Sequence, residues 1–156
     1  QERTLNNVHI IFTNRLLATW DYNDNRYHAR VIICGFPSII STAGIVEAPA
    51  KPKEYYLLKQ KYSLFGNFPI DEVLKNEFKG RFIEYDDERL TEVLKGYVLQ
   101  AIFYHVNQPF CEVKNCRFFN AHWQEEVIEA QLKTPEFCEK HEKVIKKFRE
   151  KDNMTS

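Results

Sequence analysis

Cys111-Glu-Val-Lys-Asn-Cys116, followed beyond residues 117–137 by Cys138-Glu-Lys-His141, is the stretch on which the reading of this chain turns. Two close ligand pairs joined by a segment long enough to fold back can enclose a tetrahedral zinc ion. Each pair brings two soft or borderline donors together at low loop-closure cost, and the segment between supplies the return path. Cys138 and His141 stand three apart at the expected start of a helix, so they share one side of it. The positive end of that helix favours a thiolate at Cys138. Other readings stand beside this one. Cysteine is among the most buried residue types, and His141 lies on one helical face with Phe137, Val144, Ile145 and Phe148, as a core histidine would. A disulfide between Cys111 and Cys116 is a further alternative. Two pairs in so short a segment, in a chain with four cysteines, favour a closed Cys3His zinc site with a structural role.

Upstream of this stretch lies the strongest helical pattern of the chain. Leu90, Val93, Leu94, Tyr97, Ala101, Ile102 and His105 recur at i, i+3, i+4 spacing, with Asp86 or Asp87 as the expected cap and Pro109 as the stop. Helices are also expected over residues 54–62 and 69–78, the second opening on Pro69 and closing at Gly80. Downstream, helices are expected over 121–133 and 135–150, with Thr134 capping the latter, and residues 151–156 read as a disordered tail. The first half reads as sheet. Strands are expected over 8–13, 16–20 and 27–34, the last two forming a hairpin around Asp21-Tyr-Asn-Asp-Asn25. Residues 38–42 and 45–47 read as short extended pieces, 48–52 as a proline-held loop, and 81–85 as one more strand. The expected architecture is therefore α+β: residues 1–150 form one domain with a mixed sheet under helices, and 111–150 form its zinc-bound C-terminal subdomain.

Composition narrows the function classes. The chain has 156 residues, 44% hydrophobic and 14% aromatic, which is ample for a packed core. Lys plus Arg and Asp plus Glu both total 22, so the net charge is zero, and a nucleic-acid partner is not expected. No apolar run approaches the ~18–20 residues that span a bilayer, so neither is a membrane. Gln1-Glu-Arg3 carries no initiator Met and no signal-peptide core, which suggests a start inside a longer chain. One cysteine, Cys34, sits in an apolar run and three lie in the last third. That usage points to an intracellular, cytoplasmic protein rather than a disulfide-stapled one. Tyr55, Tyr56, Tyr62, Phe65, Phe68 and Trp20 exceed the needs of a small core and could line a groove or a dimer contact, the plainer reading being core and rim residues; a peptide or protein is the expected partner.

The residues from Cys111 to His141 resemble the archaemetzincins, a branch of the metzincin zinc peptidases. That family's signature runs HExxHxxG, three residues, Cys-x4-Cys-x-Met, a spacer, and Cys-x-x-Cys. Cys111-x4-Cys116 is similar to its first cysteine pair, and Cys138-x-x-His141 to its last, with His in place of the final Cys. Phe118 falls at the Met position, within Arg117-Phe-Phe-Asn120. Across its length the chain looks like an archaeal group of short metallopeptidases, which implies a metzincin-like fold. The departures are as informative as the match. In this register the signature's first His and its Glu fall on Gln100 and Ala101, the second His on Tyr104, the Gly on Asn107 and the third His on Phe110. A metzincin needs three imidazoles around an open zinc position and a Glu to take a proton from the bound water. No HExxH exists in the chain. The expected function is therefore binding without catalysis, around a structural zinc. The alternative is a metal-dependent hydrolase with a non-classical site around His105, His122 and Glu126, since His122 and Glu126 share a helical face. The plainer reading of that pair is an exposed helix start whose acidic residues complement the dipole. His9 and His28 fall in strand patterns without evident partners, and Cys34 reads as an inert core thiol.

Overall fold

A computed structural model of the protein describes residues 7–64 and 69–154, so the expectations for Gln1, Glu2, Arg3, Phe65 and Phe68 lie outside the described residues. It is an α+β arrangement of five strands and six helices among those residues. Strand β1 (Ile10–Thr13) pairs in parallel with β5 (Ser38–Ser41), Ile10 opposite Ser38, and β5 pairs antiparallel with β4 (Ile32–Ile33). The order β1-β5-β4 makes a mixed sheet, with β4 at one edge. Strands β2 (Leu17–Asp21) and β3 (Arg26–Arg30) form a separate hairpin with Trp20 opposite Tyr27. Its turn is held by Asn25 in the left-handed region, φ 52°, and by the Asp21 carboxylate accepting from the Asn23 amide. Asn takes that conformation more readily than most residues.

The single arm expected over 27–34 is instead two strands in two sheets. The break is at buried Val31, whose carbonyl accepts from the Ser41 amide. Helix α1 (Thr42–Glu47) presses against the same point: a Cβ on Gly44 would stand 2.4 Å from the Arg30 carbonyl oxygen. Only glycine permits that approach. Residues 45–47, expected to be extended, belong to α1. Ser41 Oγ accepts from the Gly44 amide at 2.8 Å and starts the helix, a cap that so short an element needs.

Residues 81–85 form no strand. Phe82 and Ile83 are both buried, and side chains satisfy this backbone in place of a ladder. The Ile83 amide donates to Gln124 Oε1, and the Arg89 guanidinium donates to the carbonyls of Gly80 and Phe82. Helices α2 (Lys53–Ser63) and α3 (Ile70–Glu77) lie near the expected places and pack around Leu74, Phe78 and Phe82. Helix α4 (Leu90–His105) is the central one. Val93, Tyr97 and Ala101 join Ile40, Ile45, Ile83 and Val127 in the main core. Its N-cap is Arg89, and Asp87 acts two residues earlier by accepting from the Arg89 amide.

Helix α5 (Gln124–Leu132) begins where the Glu126 carboxylate reaches back to the amides of His122 and Trp123. Helix α6 runs Glu139–Met154. It starts later than the expected residue 135, because the segment before it is engaged elsewhere: the Glu136 carbonyl accepts from the Arg117 amide. It also continues through 151–154, where a disordered tail was expected, and residues 155–156 lie outside the described residues.

Candidate metal centre

Helix α4 ends in a left-handed turn at Asn107, φ 58°. The chain then re-enters the protein at Cys111, whose amide donates to the Phe118 carbonyl at 2.8 Å in an isolated parallel bridge. Between these points the backbone closes two tight turns, Cys116 N–H to Val113 O and Phe119 N–H to Cys116 O. The loop thereby sets both sulfurs on its inner side. Cys111 Sγ accepts from the Val113 amide at 3.4 Å. The second pair comes from the start of α6, where the Glu142 amide already bonds the Cys138 carbonyl.

The four side chains converge. His141 Nδ1 lies 3.2 Å from Cys138 Sγ and 3.5 Å from Cys116 Sγ, and Cys111 Sγ lies 3.7 Å from Cys138 Sγ. All four donor atoms fall within 4.8 Å of one another. Zinc–sulfur bonds of about 2.3 Å and zinc–nitrogen bonds of about 2.0 Å give tetrahedron edges of about 3.8 Å between sulfurs and about 3.5 Å between sulfur and nitrogen. The observed spacings have that size, so these residues could hold a metal ion with little movement. All four cysteines are free thiols, so Cys111 and Cys116 are not a disulfide.

The electrostatics fit the same use. Burial pushes the Cys116 thiol up to about 12 against the lowering effect of hydrogen bonds from the Cys138 and Phe118 backbone, and the charges of the Cys111 and Cys138 sulfurs add to the rise. Burial also works to raise Cys138. Hydrogen bonds from the His141 and Lys140 amides and from the other two thiols outweigh it, and the net shift is downward. Three thiolates this close oppose one another's ionisation, and a cation among them removes that opposition. Burial, with Lys140 beside it, lowers the His141 pKa and keeps the imidazole neutral, the form that ligates. His141 is 1% exposed, and its Nε2 has no hydrogen-bond partner among the described residues. Burying an imidazole nitrogen without a partner carries a cost. Phe103 and Phe118 close the site from the protein side, with Leu99, Ile102, Val144 and Ile145 around them.

Several residues that build this site are missed by the sequence reading. Gln100, 3% exposed, donates through Nε2 to the carbonyls of Arg117 at 2.7 Å and Phe119 at 3.2 Å. Gln131 Nε2 donates to the same Arg117 carbonyl. Gln131 packs so tightly on α4 that a Cβ on Gly96 would stand 1.6 Å from its Oε1. The buried Arg117 guanidinium meets Glu92 of α4 and, at 3.4 Å, Glu136. The ligand loop is thus clamped to α4 and α5 independently of any metal. One signal was present: Gln124, Val127, Ala130 and Gln131 are the buried face of α5, so two glutamines occupy core spacing.

At the positions where the archaemetzincin register would place catalytic groups, Gln100 is spent on the loop carbonyls. Ala101 is wholly buried in the main core, while Tyr104 and Phe110 are exposed. Asn107, which falls at the signature's glycine, takes a left-handed turn. His105, His122 and Glu126 do not gather into a metal-sized cluster. His105 Nε2 meets Ser38 Oγ and its ring meets Phe36 edge-to-face, His122 Nε2 meets Asn120, and Glu126 is occupied by the helix start and by Lys114. His28 does have a partner, Asp24 at 2.7 Å, and with Asp21 the two form a partly exposed cluster at the hairpin tip, where Arg26 also holds Asp24. Cys34 is half-buried rather than sealed in the core. It lies in the wall of a cleft of about 290 Å³ that runs beside β4, with Arg30, Tyr97, Phe110, Asn120 and His122 also in its lining.

No curated protein and no solved structure matches this chain significantly. A family profile does, over residues 1–148 of the 156. With nearly the whole length matched, the chain belongs to the probable metallopeptidase family DUF6775.

Proposed function

We propose that the chain holds one structural zinc through Cys111, Cys116, Cys138 and His141, and that it acts by binding a peptide or protein rather than by hydrolysis. The observation that carries this reading is the pairing of two facts: four soft or borderline donors at tetrahedral spacing, and Gln100, Ala101 and Tyr104 where the archaemetzincin register needs ligands and a base. A site closed by three cysteines and one histidine leaves no position for a water or substrate. When bound, the metal supplies a cross-link between the loop after α4 and the start of α6. The chain's own residues do the rest. Gln100 and Gln131 fix the loop carbonyls, Arg117 ties the loop to Glu92 and Glu136, and Phe103 and Phe118 exclude water.

The cleft beside β4 is the proposed binding surface. Edge strands present unpaired backbone groups to an extended segment, and β4 is an edge strand whose residues line this cleft. An archaemetzincin-like fold and a reducing cytoplasmic setting, which would keep the three thiols available to metal, belong to the same proposal. No helix among the described residues is long and apolar enough to cross a membrane. Digestion of a broad peptide library with added zinc, beside a chelated control, tests the reading. No chelator-sensitive cleavage is expected. Turnover that vanishes with the chelator and with His105→Ala or His122→Ala would replace it with the hydrolase alternative.

A further inference from the structure

The three thiols of the metal centre are not equivalent. Cys116 is fully buried beneath Phe103 and Phe118, whereas Cys111 and Cys138 are each half-buried. The Cys111 and Cys138 sulfurs are also close, 3.7 Å apart, although they come from the loop after α4 and from the start of α6, and Cys138 is the less buried of the two at the site. A disulfide has a sulfur–sulfur bond of about 2.05 Å, so less than 2 Å of sulfur movement separates this pair from a covalent bond. Cys34 stands apart in the wall of the β4 cleft.

We propose that Cys111 and Cys138 are a reversible oxidation site: a peroxide-class oxidant joins them in a disulfide, and the disulfide expels the metal. In the first step the more reachable thiolate attacks one oxygen of hydrogen peroxide. The O–O bond breaks, a sulfenic acid forms, and the departing hydroxide takes a proton to become water. The second thiolate then attacks the sulfenic sulfur. The S–S bond forms, the S–O bond breaks, and the second hydroxide leaves as water. Two electrons pass from the sulfur pair to the peroxide, and two protons are consumed with the two waters released. Cys116 and His141 alone cannot retain zinc, because two of the four donors are now in a neutral disulfide. Metal expulsion rests on the structural-zinc reading, and the choice of cysteine pair rests on sulfur geometry and exposure alone.

The two parts are separable in one experiment on the intact, zinc-loaded chain. Hydrogen peroxide is titrated in, released zinc is read with a chromogenic chelator, free thiols are alkylated after denaturation, and tryptic peptides are mapped by mass spectrometry. Lys114, Arg117, Lys133 and Lys140 place Cys111, Cys116 and Cys138 on three different peptides. The expected result is loss of one zinc together with two thiols, a cross-link joining Cys111 to Cys138, alkylated Cys34 and Cys116, and full reversal by dithiothreitol plus zinc. The Cys34→Ser variant should behave the same. A cross-link that includes Cys116 or Cys34, or sulfinic acid without any cross-link, overturns the pairing while leaving the metal reading intact. A chain that takes up no zinc refutes the metal reading, and the expulsion with it.

Discussion

Replacing Gln124 by Leu removes three hydrogen bonds from the interior without removing much volume. The Gln124 side chain is fully buried. It accepts from the Ile83 amide at 3.0 Å and donates to the carbonyls of Ile45 at 2.8 Å and Val46 at 3.0 Å. Those carbonyls are at the C-terminal end of α1, where the helix offers no amide of its own. Leaving a buried polar group without a partner costs about 1–3 kcal/mol. Taking the Ile83 amide near the middle of that range, and each carbonyl at its lower end because an under-satisfied carbonyl is tolerated better than an orphaned amide, gives about 4 kcal/mol. For a chain of this length 1 kcal/mol corresponds to about 2–4 °C, so Gln124→Leu should melt roughly 8–16 °C below the parent. Circular dichroism at 222 nm, in matched buffer and with metal content equalised, reads the difference. The exposed Gln60→Leu is the control and should stay within about 0.5 kcal/mol. A fall of less than about 3 °C for Gln124→Leu would refute the claim that this side chain replaces the strand pairing absent from 81–85.

Two further predictions concern the ends of α4. Cys116→Ser should abolish tight metal binding, lower the melting temperature and raise amide exchange selectively after residue 110, while the β1-β5-β4 sheet keeps its protection; unchanged exchange in a metal-free variant would show that the metal does not support this region. Asp87 is held below its ordinary value chiefly by hydrogen bonds from Arg89, so its contribution to stability is present above about pH 4 and drains away as pH falls through the lowered folded value. Asp87→Asn should therefore flatten the acid limb of the stability–pH curve, and an equally steep limb in the variant would contradict that assignment.

Periodicity located the long elements because burial of one face dominated each of them. Helix α4 shows this best: its stripe of Val93, Tyr97 and Ala101 is what the core takes up. The same reasoning failed where polar side chains do the work of backbone. Residues 81–85 alternate like a strand, yet Gln124 and Arg89 satisfy them. Ile45 and Val46 are β-branched and apolar, yet the Ser41 cap draws residues 45–47 into a helix. A local pattern cannot show a partner residue that arrives from far along the chain. The candidate ligands were legible because spacing alone constrains a metal site, and the four donors do converge. The clamp around them was not, since Gln100, Gln131 and Arg117 look like surface residues until the loop carbonyls they hold are in place.

The central claim is that Cys111, Cys116, Cys138 and His141 together form a closed zinc site. X-ray absorption at the zinc edge, on protein purified without added metal and assayed for metal content, addresses it most directly. The account predicts one zinc per chain with a shell of three sulfurs near 2.3 Å and one nitrogen near 2.0 Å. A chain that carries no zinc when purified and takes none up, or a zinc shell containing oxygen and fewer than three sulfurs, would contradict it.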